Sequence, residues 1–202
     1  MKKIEIAMLV GMVISVFSAG FCGFAEDYDN MTDKLFRLHI LANSDSEADQ
    51  SLKLEVRDAV LGNCSYLFED CTNAEQSAAV AEENMDIIQK VAQQTIDENG
   101  SDYSVNCEVT EMYFDERVYD SATVPAGEYS ALRITIGEAK GKNWWCVMFP
   151  PLCIPVASDM GETLEACDGI FTEEEIEMLK NPETFECKFY ILELFDKMKK
   201  HF

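Results

Sequence analysis

The sequence predicts an α+β domain: a mainly antiparallel sheet with two helices packed on one face, in the order β-α-α-β-β-β, followed by a C-terminal helical tail. Three observations point there. Apolar and polar residues alternate in one segment before residue 43 and again in segments after residue 104, which is the period of strands. Between them, two stretches repeat apolar residues every three or four positions, the period of helices. Pro150-Pro151 then closes the alternating region, because proline has no N–H to give a ladder.

Residues 34–42 read as the first strand. Phe36, Leu38, Ile40 and Ala42 fall on one face, Arg37 and His39 on the other. Asn43-Ser44-Asp45-Ser46 is a turn rich in helix-capping side chains. The helix it starts is expected over 47–61, with Ala48, Leu52, Val56, Ala59 and Val60 inward, an Asp49/Lys53 pair outward and Gly62-Asn63 as the stop. One long second helix is expected over 74–98, its buried stripe Ala78, Ala81, Met85, Ile88, Ala92 and Thr95, ended by Asn99-Gly100. Val105, Cys107 and Val109 open the next strand. Pro125-Ala126-Gly127 is a turn, and Leu132, Ile134 and Ile136 line a further strand. A tight connection over 137–141 leads to a last strand, 144–149, apolar on both faces. Beyond 153 the character changes: Thr172 and Glu175 make a capping box for a short helix, and a final helix is expected over 185–199.

The chain of 202 residues is long enough for one ordinary domain, and its 48% hydrophobic, 27% charged composition is that of a globular protein. Sixteen basic residues face 38 acidic ones, a net charge of -22. That balance repels nucleic-acid phosphates and anionic lipid head groups alike. Contact with a membrane must then come from an apolar segment or a protein partner.

Residues 1–25 supply such a segment. Lys2 and Lys3 precede an apolar run over 7–25, and Gly23-Phe24-Ala25 puts small residues at the -3 and -1 positions of a cleavage site, the layout of a secretory signal peptide; an uncleaved anchor is the alternative. Phe21 before Cys22 argues against a lipoprotein. Cleavage after Ala25 would remove two lysines and one glutamate, leaving a mature charge of -23. Residues 26–33 read as a flexible polar lead, 34–153 as the domain and 154–202 as the tail.

Candidate chemistry is sparse. Eight cysteines occur without a C-x-x-C, and only His39 and His201 could join them as ligands, so neither a metal site nor a cofactor is expected. No G-x-S-x-G, H-E-x-x-H or P-loop pattern exists. A nucleophile–base pair would have to use His39 with a thiol such as Cys146, an exported cysteine-dependent hydrolase or thiol enzyme. Cys146 and Cys153 flank the Pro-Pro turn and are also candidates for a disulfide.

Two stretches are unusual. One is Arg37-Leu38-His39-Ile40-Leu41-Ala42-Asn43-Ser44-Asp45-Ser46, continuing through Asp49-Gln50, Lys53 and Val56-Arg57-Asp58-Ala59-Val60. The other is Pro125-Ala126-Gly127-Glu128-Tyr129, continuing through Arg133-Ile134 and Gly141-Lys142-Asn143-Trp144-Trp145-Cys146-Val147-Met148-Phe149-Pro150-Pro151-Leu152-Cys153. Over about residues 35–153 the chain resembles the stage II sporulation protein R family of endospore-forming bacteria. Leu38 stands where an aromatic is expected. The resemblance implies a protein that is not an enzyme. It implies a signal made in the forespore and exported into the space between the two sporulation membranes, where it triggers a mother-cell membrane aspartic protease that processes the sigma-E precursor. Such an activator needs a recognition surface. Trp144, Trp145 and Phe149 have the large rigid apolar area typical of interface hot spots. Arg37, His39 and Arg133 are expected as a polar patch on the far sheet face, and the Arg37/His39/Asn43/Asp45 end of the domain is the second candidate contact.

Overall fold

The computed structural model describes residues 2–118, 123–150 and 169–181. It is α+β with a mixed, mostly antiparallel sheet. Helix α1 (Lys2–Asp33) leads into strand β1 (Phe36–Leu41). Helices α2 (Glu47–Cys64), α3 (Ala74–Glu83) and α4 (Met85–Glu98) follow, with a short 3-10 turn, Ser65–Phe68, after α2. Strand β2 (Val105–Phe114) comes next, then a small ribbon of β3 (Arg117–Val118) and β4 (Thr123–Val124). Strands β5 (Gly127–Ile136) and β6 (Asn143–Phe149) complete the sheet, and helix α5 (Glu173–Lys180) lies in the tail.

The four strands run in the order β2-β5-β1-β6. β1 pairs with β5 in parallel and with β6 antiparallel, and β2 pairs with β5 antiparallel along its whole length. The first strand therefore lies inside the sheet, which explains why every residue of Phe36–Ile40 is buried. Two cores result. Phe36, Leu38 and Ile40 join Leu132, Ile134 and Ile136 under Leu52, Val56 and Val60 of α2 and Ile88, Ala92 and Ile96 of α4. On the opposite face Tyr129, Ala131 and Val147 lie under Phe24, Tyr28 and Met31 of α1 and Met178 and Leu179 of α5.

Helices thus cover both faces of the sheet, where two helices on one face were expected. Residues 26–33 are not a flexible lead: Phe24, Tyr28 and Met31 recur at helical spacing and seat the last turns of α1 in the second core. The Tyr28 hydroxyl also donates to the Ala126 carbonyl. The long second helix is two, because at Asn84 the backbone leaves helical geometry while its side chain bonds back to the Val80 carbonyl. Helix α2 continues past Gly62-Asn63 to bury Cys64. The Thr172/Glu175 capping box is present; buried Glu175 also pairs with Lys34 at 2.7 Å, tying α5 to the junction of α1 and β1. The helix expected over 185–199 lies outside the described residues.

Candidate functional site

The two unusual sequence stretches meet at one end of the sheet. Asn43 leaves β1 and reaches the β5–β6 connection: its Oδ1 accepts from Glu138 N at 3.0 Å, and its backbone carbonyl accepts from Lys140 N at 3.1 Å. Gly141 N donates to the Ala42 carbonyl at 2.9 Å, and Asp45 Oδ1 accepts from Lys142 N at 2.7 Å. Gly137 has φ +56, and a Cβ there would run into the Asn43 side chain; one at Gly141 would run into the Ser44 carbonyl. Asp49, expected on the outside beside Lys53, is instead buried and accepts from Asn43 Nδ2 and Ser44 Oγ, bonds that hold its carboxyl below the usual range. Lys53 is buried too and donates to Gln50 Oε1 at 2.7 Å and the Lys142 carbonyl at 3.1 Å; loss of hydration lowers its pKa. Asn43 and Asp45, singled out as contact residues, therefore clamp two loops together.

The far sheet face does not carry an open polar patch. Arg37 is 0% exposed, its guanidinium 4.2 Å from the Phe114 ring centroid and 5.0 Å from that of Tyr129. His39 is 3% exposed and stacks on Trp145, centroids 3.9 Å apart and planes 5° apart. Burial, with the Arg133 charge beside it, lowers its pKa from 6.5 to about 4, although the Asn143 side chain works in the opposite sense. Neither ring nitrogen makes a well-formed hydrogen bond. Arg133 is half-buried and pairs with Glu108 at 3.0 Å. Arg37 and His39 are shielded because α1, α5 and the Phe114 and Trp145 rings fold over what the alternation alone marks as the wet side.

The tryptophans diverge, as neighbours on a strand must. Both are half-buried. Trp144 leans on the first core with the Arg57 guanidinium 4.3 Å from its ring centroid; Trp145 leans on the second core, with Arg117 at 5.6 Å. Phe149 is buried in the first core, drawn in by a bulge opposite Phe36 and Arg37, so it is not offered to a partner here.

The same register separates the one candidate catalytic pair. His39 lies opposite Trp145 and Leu38 opposite Cys146, so the imidazole and the Cys146 side chain project to opposite faces. Cys146 is in any case disulfide-bonded; Cys153, its expected partner, lies outside the described residues. The buried free thiols are inert: burial pushes Cys107 up to about 12, Cys64 adding to it, and burial raises Cys64 as well. Among the described residues no three of His, Cys, Asp and Glu converge where a metal ion could sit.

Comparison with known proteins places these features. The family model of stage II sporulation protein R matches residues 32–159. Stage II sporulation protein R of Bacillus subtilis (strain 168) is 40% identical over 121 residues, 60% of this chain and 54% of that relative, so the match spans about half the relative's length. No solved structure matches the chain.

Proposed function

The chain belongs to the stage II sporulation protein R family and has a role in sporulation, and from that premise we propose that it is an exported, non-enzymatic signal. Leaving the forespore through its apolar N-terminal segment, it activates a mother-cell membrane aspartic protease that processes the sigma-E precursor. It touches the membrane only through residues 7–25 or through that partner, binds no nucleic acid and uses no cofactor. The observation that carries this reading is the placement of its reactive groups. The single central histidine is packed against Phe114 and Trp145, and the Cys146 sulfur, opposite Leu38, is spent in a disulfide on the other face. Part of the Trp144 and Trp145 rings stays accessible on β6, an outer strand of the sheet, and rigid aromatic area of that kind is the material of a docking surface. A disulfide at Cys146 also suits an extracytoplasmic location.

The test is reconstitution in a host that does not sporulate. The protease and the sigma-E precursor are expressed together, and the chain is supplied with and without residues 1–25. Precursor cleavage should require the exported form. Cleavage that proceeds equally with the chain confined to the cytoplasm, or absent, would defeat the proposal.

A further inference from the structure

The edge of the sheet opposite β6 is β2, and its hydrogen-bonding directions can be assigned. The Ser104 carbonyl accepts from Gly137 N at 2.9 Å, toward β5, whereas Val105 N–H turns away to Gln93 Oε1 at 3.0 Å. In an antiparallel pair these directions alternate, so Cys107, Val109 and Glu111 also aim their N–H and C=O groups outward. Among the described residues no strand pairs with that edge, and only the Thr110 hydroxyl, 3.4 Å from the Glu111 carbonyl, comes near these groups. On the α3 side of the sheet, between β2, β5, α3 and the end of α1, lies a cavity of about 570 Å³ that reaches Val109 and Glu111 of the edge strand. Ala78 and Val109 contribute apolar floor; Asp33, Glu75, Glu82 and Glu111 stand around it, and none of the four takes part in an ion pair among the described residues.

We propose that the outer edge of β2 and this groove dock an extended, lysine- or arginine-bearing peptide segment of a partner protein as a fifth strand of the sheet. Only a peptide backbone can use a row of alternating outward N–H and C=O groups. Its side chains would point alternately to the two faces. Those on the groove side would lay their methylene stems over Ala78 and Val109 and place their cations among the carboxylates. A second copy of the chain is excluded by charge, since each carries -22 and the two acidic rims would meet. Acidic residues on an edge do deter self-pairing; the same charges attract a basic strand. The proposal rests on the partner-docking reading for its use in signalling, but not for its chemistry.

The probe is a synthetic decapeptide alternating lysine and valine, with an alternating glutamate–valine decapeptide as control, added to the full chain. The lysine peptide should slow amide exchange at Cys107, Val109 and Glu111, and the control should not. Glu111→Pro removes an outward donor that the fold does not use and should abolish this protection while the β2–β5 ladder stays protected. Glu75→Lys with Glu82→Lys, both exposed on α3, should weaken peptide affinity by about tenfold, and this variant decides the matter if the proline variant fails to fold. Equal protection by both peptides, or unchanged affinity in the folded variants, would overturn the proposal. Wild-type chain that protects these amides with the lysine peptide yet fails to trigger the protease would sink the signalling reading and leave this one. Protease activation without such protection would do the reverse.

Discussion

His39 shows how much a single buried side chain can set. Its imidazole is held neutral because burial removes the hydration its cation would need, with Arg133 opposing any added charge. In the unfolded chain the same ring takes a proton at its ordinary value near 6.5. Stability is therefore fully present above that pH and falls as the pH drops from 6.5 toward 4, because the unfolded state then binds the proton and the folded state does not. At pH 5 the loss is about 2 kcal/mol. His39→Phe keeps a ring against Trp145 and Phe114 but cannot titrate. Urea unfolding at pH 7 and pH 5 should show the wild type losing about 2 kcal/mol more than the variant. Identical pH dependence in the two proteins would mean that His39 is already solvated in the fold.

At the scale of elements, the joint between the β1–α2 turn and the β5–β6 connection accounts for both unusual motifs. Gly141→Ala drives a methyl group into the Ser44 carbonyl, backbone against backbone, and should cost about 3 kcal/mol in thermal or denaturant unfolding. A fully stable Gly141→Ala protein would show that the two loops are not held in contact. Strand β6 carries a second prediction. Since Trp144 and Trp145 prop opposite cores, alanine at either should lower stability by roughly 2–3 kcal/mol. In the fraction still folded, each should also bind the protease roughly thirtyfold less tightly. Loss of stability with unchanged binding in both would move the docking surface off β6. The strands were legible from the sequence because Phe36/Leu38/Ile40 and Leu132/Ile134/Ile136 alternate cleanly. The break at Asn84 was not, because Ala81 and Ile88 keep a helical spacing straight across it. Nor was the burial of Arg37 and His39 legible, since it depends on α1 and α5, which are remote in sequence. Of the candidate contacts, alternation indicated that the two tryptophans part to opposite faces, but not that a bulge turns Phe149 into the core.

For the whole molecule, the imbalance of charge is the governing term. Thirty-eight acidic residues against 16 basic ones repel one another in the compact state. The ion pairs among the described residues offset little of this: Arg57–Asp58, Arg133–Glu108 and Lys140–Glu138 lie largely at the surface, where water and salt screen them. Lys34–Glu175, with its carboxylate buried, ties the α1–β1 junction to α5. Added salt screens the repulsion at separations beyond roughly 8 Å at 0.15 M while leaving both apolar cores intact. The melting temperature should therefore rise between low and physiological sodium chloride, at fixed pH near 7, where the carboxylates are ionised. The affinity for a basic peptide on β2 should fall over the same range, because screening weakens the attraction that draws it in. Thermal unfolding and peptide titration in one salt series measure both slopes. A melting temperature that falls with salt would mean that favourable ion pairs, not repulsion, dominate the folded state.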